Sequence, residues 1–317
     1  MKPRAPRLLF GRRRSDRVVR ISQADSSLSP SVPATTTIIN PPDTMPARDM
    51  TQGEKDRFDL LFPPMNVDLQ PRVTAEATPA YNCIAWTVGI TNSWINPLQS
   101  LARWDAFYNI FHYERADAGQ IAIWRTDAGY THGCVANAAE GFGWESKCGQ
   151  SLRILHHLGD LVSPIYGQVI AYYRQAPAAA TISAARPASL PAVNEDLKAV
   201  KLHDAAKAVP APVREEFHAL FHAWKKTWFA DAMAFSSDTL DRGNTHSYRK
   251  LLAMGPEILP LVVKELDNPE NFIAVQLYDD LVTEPAQRSS LAAMPYDPRT
   301  GEQGLARNIV AHYIGQR

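Results

Sequence analysis

The sequence predicts an α+β domain with a small antiparallel sheet, followed by a small all-α domain. Apolar residues recur at helical spacing as far as Phe111 and alternate from Ile121 onward, the pattern of helices followed by a half-buried sheet. Beyond an Ala- and Pro-rich stretch the spacing turns helical again. There Gly255 closes one helix and Pro256 opens the next, a clear boundary signature.

Residues 1–50 read as a disordered basic leader. Ser26-Ser27, Ser29-Pro30, Thr35-Thr36-Thr37 and Pro41-Pro42 punctuate it with few large apolar residues. Within Met1–Arg20 eight basic residues stand against one acid, Asp16. Such a block fits a solvated tail or an organellar address. No aromatic residues alternate with the arginines, which argues against nucleic acid.

The α+β domain is assigned to 51–174. A short helix is expected from Glu54 to Leu61, stopped by Phe62-Pro63-Pro64, and Pro71 to Pro79 reads as an extended polar connection. Asn82 then caps a helix reaching Gly89, with Cys83 as its first residue. Pro97 opens a longer one carrying Leu98, Leu101, Trp104, Tyr108 and Phe111. Four strands follow: 121–125, 130–138, 142–147 and 168–174, with a turn at Glu140-Gly141.

Residues 175–193 form an Ala/Pro linker. In the helical module, 194–286, Val213, Phe217, Leu220, Phe221, Trp224 and Trp228 make a wide apolar stripe. Helices at 247–254, 256–266 and 269–282 come next. Two short helices with a tight turn between them, as at Gly255-Pro256, look like a single HEAT-type unit, which cannot build a solenoid alone and is expected to pack on the tryptophan-bearing helix. Residues 287–317 read as a C-terminal tail.

Lys+Arg equals Asp+Glu at 33 each, so no global charge argues for nucleic acid or a membrane surface. No stretch approaches the ~18 apolar residues of a membrane span, and Leu8-Leu9-Phe10 is too short for a secretory core. Cys83, Cys134 and Cys148 are too few for a disulfide framework, and with His132 they make no zinc pattern. A reducing, cytoplasmic compartment is the default, with the leader leaving targeting open. No metal or organic cofactor is implied.

One constellation can carry chemistry. Cys83 lies in Tyr-Asn-Cys-Ile-Ala-Trp at a helix start, and His132 stands in Gly-Tyr-Thr-His-Gly-Cys. A helix start can lower a thiol pKa, and a histidine beside it can serve as base and then acid. By strand parity Glu145 or Ser146 would orient the imidazole, with the register open by one residue. His156 is a third candidate, or else a turn or cap residue. Asn82 either caps the helix or lends a donor to an oxyanion hole. Trp86, Trp144 and Lys147 complete the candidate binding set, although a lysine such as Lys147 is more often a solvated face than a functional ammonium. Cys83 itself reads as nucleophile or as a buried small hydrophobe, while Cys134, Cys148, Trp224 and Trp228 read as core.

Cysteine at a helix start, histidine on a following strand and a polar orienter on the next resembles papain-like and NlpC/P60-like hydrolases over 81–174. A closer likeness rests on Tyr-Asn-Cys-Ile-Ala-Trp, Thr-His, Trp-Glu-Ser-Lys-Cys-Gly, Ile154-Leu155-His156 and Tyr166-Gly167. This order resembles an uncharacterised, mostly bacterial domain family of unknown function, DUF7689, over about 54–174. Gly133 replaces that family's usual Ala after the histidine and Cys148 its usual Leu, neither touching thiol or imidazole. The family implies a fold and no substrate. Residues 245–266 are similar to a small uncharacterised bacterial helical module, which implies a protein-interaction role. The sequence therefore leads to a cysteine hydrolase or acyltransferase acting on an amide or ester. The two parts in one chain suggest effector and restraining partner; the rival reading is a non-catalytic scaffold, an α+β module plus a helical protein-binding module, as one half of a toxin–immunity arrangement. The substrate, small molecule or peptide, is not legible.

Overall fold

The computed structural model describes residues 45–63, 65, 70–177, 195–283 and 297–315. The basic leader up to residue 44 and most of the Ala/Pro linker lie outside the described residues.

The sheet domain has eight strands among these residues. They are β1 (Arg48–Asp49), β2 (Arg72–Ala75), β3 (Tyr113–Ala116), β4 (Ile121–Arg125), β5 (Tyr130–Asn137), β6 (Gly143–Lys147), β7 (Arg153–His156) and β8 (Gln168–Gln175). All pair antiparallel in the order β1-β2-β7-β6-β5-β4-β8-β3. The four strands expected from alternation are β4, β5, β6 and β8. The other four are short, and β7 is buried at every position, so it offers no alternation to read. The stretch read as a polar connection contains β2, whose Val73, Thr74 and Ala75 are all buried. β1 falls inside what was assigned to the leader.

Three helices cover this sheet: α1 (Gln52–Leu61), α2 (Cys83–Thr87) and α3 (Leu101–Ile110). Thr51 and Glu54 close a capping box on α1. The longer helix starts at Leu101 rather than at Pro97, because the Ser100 hydroxyl accepts from the Arg103 N–H. Side chains of α2 and α3 pack with Ile121, Ile123, Ala171 and Tyr173 on one face. Phe58 and Phe62 pack with Ala122, Trp124, Cys134, Ile154 and Tyr166 on the other.

The helical region holds α4 (Glu195–Lys207), α5 (Ala211–Lys225), α6 (His246–Ala253), α7 (Leu259–Leu266), α8 (Ala274–Leu281) and α9 (Gly301–Gly315). Phe217, Phe221, Trp224 and Trp228 share its core with α6, α7 and α8, the compact bundle expected of a lone helix pair. The two proline-led segments each split into a 3-10 turn, Pro256–Ile258 and Pro269–Asn271, ahead of the helix proper. The supposed tail ends in α9, which buries Ala306, Ile309, Val310 and Ile314 in this core; Gly301, Gly304 and Gly315 disguise its helical spacing. Trp94 of the sheet domain is sunk into the same core, and all described residues belong to one compact unit. No described helix is long and apolar enough to cross a membrane.

Candidate active site

Asn82 fixes where α2 begins. Its Oδ1 accepts from the Ala85 N–H at 3.2 Å and the Ile95 N–H at 3.3 Å. Its Nδ2 donates to the carbonyls of Ile95 at 2.7 Å and Ser237 at 3.3 Å. All four hydrogen bonds of the amide are made: Oδ1 caps α2, and Nδ2 holds the carbonyls of Ile95 and Ser237.

Cys83 follows and is fully buried, in one cluster with Trp86, Ile121 and Ile123. Its Sγ lies 2.9 Å from the Ser237 Oγ. Burial pushes the thiol up to about 11, although Ser237, the Gly133 N–H and Lys147 all draw it down. The lowering expected of a helix start is therefore overridden. α2 has five residues, too few to sum a large dipole, while desolvation acts on the whole group.

The sheet opens beside this thiol. β5 pairs with β6 only through Val135, Ala136 and Asn137, and α2 touches both strands. Gly133 faces α2, since an added Cβ would meet Thr87 Cγ2 at 3.0 Å and Ile84 Cδ1 at 3.5 Å. Side chains alternate along a strand, so His132 points to the other face. There its ring stacks on Tyr166, centroids 4.0 Å apart.

His132 Nε2 lies 2.9 Å from the Ser146 Oγ, which lies 2.8 Å from His156 Nε2. His156 Nδ1 lies 2.7 Å from the His157 carbonyl. One proton arrangement satisfies this relay in neutral rings. The carbonyl can only accept, so His156 Nδ1 carries its proton and His156 Nε2 accepts from the Ser146 hydroxyl. The Ser146 Oγ then accepts from the His132 Nε2–H. A lone pair is left on His132 Nδ1, which is buried without a hydrogen-bond partner. Burial, helped by His156, holds His132 well below the usual imidazole range, and burial takes His156 to about 4. The thiol and the His132 imidazole are not bonded to each other.

Between the two parity candidates, Ser146 meets the imidazole. Glu145 lies on the opposite face, 2.9 Å from Arg153 Nε, and accepts from the Thr74 hydroxyl at 2.5 Å and Asn137 Nδ2 at 3.0 Å. His156 belongs to the relay. Lys147 is no solvated side chain. It is fully buried, donating to the carbonyls of Thr78, Gly149 and Ser151, and burial lowers it to about 7. Trp86 lies under the Arg153 guanidinium, 4.1 Å from its ring centroid, and Trp144 packs on Tyr172. Cys134 and Cys148 are buried free thiols, as expected of core.

Residues 72–174 match the profile of a domain of unknown function, DUF7689. The DUF7689 span runs from β2 to β8 and contains Asn82, Cys83, His132, Ser146 and His156. It excludes α1, which the sequence reading had included. Searches of curated proteins and of solved structures returned no match.

Sequence reasoning did not find three residues that complete this region: Trp94, Tyr166 and Ser237. Trp94 Nε1 donates to the Ser237 carbonyl at 2.8 Å, and the Tyr166 hydroxyl donates to the Phe235 carbonyl at 3.0 Å. Ser237 lies 154 positions from Cys83 and outside the DUF7689 span. No local pattern announces such a contact, although Tyr166-Gly167 had already stood out as a motif.

Proposed function

We propose that the DUF7689 domain of this chain is a cysteine-dependent hydrolase or acyltransferase of papain-like plan, acting on an amide or ester. The observation that carries it is the relay. It presents a buried lone pair on His132 Nδ1, one residue from the Gly133 N–H that the Cys83 thiol feels. In this reading the His132 imidazole, which rests on the face of the sheet opposite α2, must turn through the gap between β5 and β6 for its Nδ1 to take the thiol proton as Cys83 Sγ bonds to the substrate carbonyl carbon. Ser146 holds the Nε2–H, and Asn82 Nδ2 with Trp94 Nε1 supplies donors to the oxyanion. Collapse breaks the carbon–nitrogen or carbon–oxygen bond and returns the proton to the leaving group. Water or a second nucleophile then splits the thioester.

The enclosed thiol favours a second reading, a non-catalytic scaffold with a protein-binding helical bundle. Both are compatible with a resting state in which thiol and imidazole are uncharged. In the enzymatic reading the bundle, with α6 and α7 as its HEAT-like unit, is the restraining partner.

The deciding experiment follows iodoacetamide labelling of Cys83 against pH by peptide mass spectrometry, with Cys134 and Cys148 as internal references. Buried thiols react through transient opening, and the inflection then reports the opened thiol. For a Cys–His pair it lies at least about one unit below the ~8.5 of free cysteine and returns there in His132→Ala. An inflection indifferent to His132 would leave the scaffold reading.

A further inference from the structure

We propose that residues 234–238 occupy the DUF7689 site as an internal pseudosubstrate, so that the site accepts a peptide main chain and the segment must leave for it to work. This rests on the enzymatic reading of the site above and names its substrate class and its restraint.

The segment starts at the last residue of one 3-10 turn, Asp231–Ala234, and runs to the next, Thr239–Asn244, with its carbonyls engaged one after another. The Ala234 carbonyl accepts from the N–H groups of Gln150 at 2.7 Å and Ser151 at 3.2 Å. The Phe235 carbonyl accepts from Tyr166, and the Ser237 carbonyl from Asn82 Nδ2 and Trp94 Nε1. Every one of these donors lies inside the DUF7689 span. They read main chain, which supplies affinity, and leave the preference for sequence to side-chain anchors. Side chains add two anchors: Phe235 enters the cluster of Phe58, Phe62 and Tyr166, and the Ser237 hydroxyl sits on the Cys83 thiol.

Two details separate this from ordinary packing. The Ser237 carbonyl has two side-chain donors beside the thiol, the arrangement a developing oxyanion needs, yet the atom nearest Sγ is the hydroxyl. The segment is thus held as an inhibitor is held. Gly149, which ends Trp-Glu-Ser-Lys-Cys-Gly, has φ +55°, and a Cβ there would come within 2.6 Å of Ala234 O and Phe235 C. The domain keeps its surface bare where the main chain passes. Arg242 grips the segment from behind, donating to the carbonyls of Trp228, Met233, Ser236 and Asp238.

The test measures Cys83 labelling by iodoacetamide at fixed pH in wild type, Phe235→Ala and Gly149→Ala. The first variant removes the anchor, and the second pushes the segment off from the domain side. The expected result is a rise of at least about ten-fold in the Cys83 rate in both, larger than any rise at Cys134 and Cys148, which share the cluster that Phe235 fills. A synthetic peptide of residues 233–239, amidated and unreactive, restores protection of Cys83 in Phe235→Ala, while its scrambled version does not. The proposal is overturned by an unchanged Cys83 rate, by Cys134 and Cys148 rising as much as Cys83, or by a peptide that protects no better than its scramble. Because the rate reports the segment and the His132-dependent pH inflection reports the chemistry, the two readings fail separately.

Discussion

At the scale of single residues, the site turns on Ser146, whose one hydroxyl joins two histidines. Replacing it with Ala strands the His132 Nε2–H and the His156 Nε2 lone pair, both fully buried. Each orphaned group costs on the order of 1–2 kcal/mol, so Ser146→Ala should lose about 2–4 kcal/mol in urea unfolding. Without a fixed acceptor for its Nε2–H, His132 also loses its preferred tautomer, and the Cys83 labelling inflection should move up toward the free-thiol value. A variant that is destabilised but keeps the inflection would make Ser146 structural only. The sequence showed Cys83 and His132 because both residue types are reactive at sight. It left Glu145 and Ser146 unresolved because a one-residue slip exchanges the faces of a strand. It misplaced Lys147 because three main-chain carbonyls, invisible in a sequence, allow an ammonium to be buried.

At the scale of elements, what was legible is what repeats. β8 alternates, β4 carries Ile121 and Ile123 at strand spacing and α5 carries a wide stripe, and these appeared near their expected positions. β1, β3 and β7 have four residues or fewer and exist through their neighbours in the sheet. α2 is the sharpest case, since five residues cannot nucleate a helix alone. Asn82 supports it by capping Ala85 and by bonding the Ile95 backbone in both directions. Asn82→Ala removes the cap, worth about 1 kcal/mol, and leaves the N–H and C=O of Ile95 and the Ser237 carbonyl short of partners. We expect a loss of about 3 kcal/mol in total and faster amide exchange through α2. Exchange unchanged there would show that packing alone defines the helix.

At the scale of the molecule, the sheet domain and the helical bundle hold each other through Trp94. Its ring packs against Phe229 and Phe272, its N–H donates to Gln303 Oε1 at 2.7 Å, and its carbonyl accepts from the Glu302 N–H at 2.8 Å. This grip places the Glu302 carboxyl out of water. Burial, with Asp279 and Asp238 adding to it, raises that carboxyl from an ordinary 4.5 to about 8. The native state therefore holds a proton that the unfolded chain has released between those two values. Stability must fall as pH rises from about 4.5 to about 8 and stay level above, as far as this group is concerned. Glu302→Gln removes the titration while keeping the shape. Its advantage over wild type should be near zero at pH 4.5 and grow to on the order of 4 kcal/mol by pH 8, read as a difference in Tm across that range. A gain constant with pH would mean that the carboxyl is hydrated in the folded state and that the junction at Trp94 is open to water. The same junction delivers the segment that closes over Cys83, so its tightness bears directly on how often the thiol is uncovered.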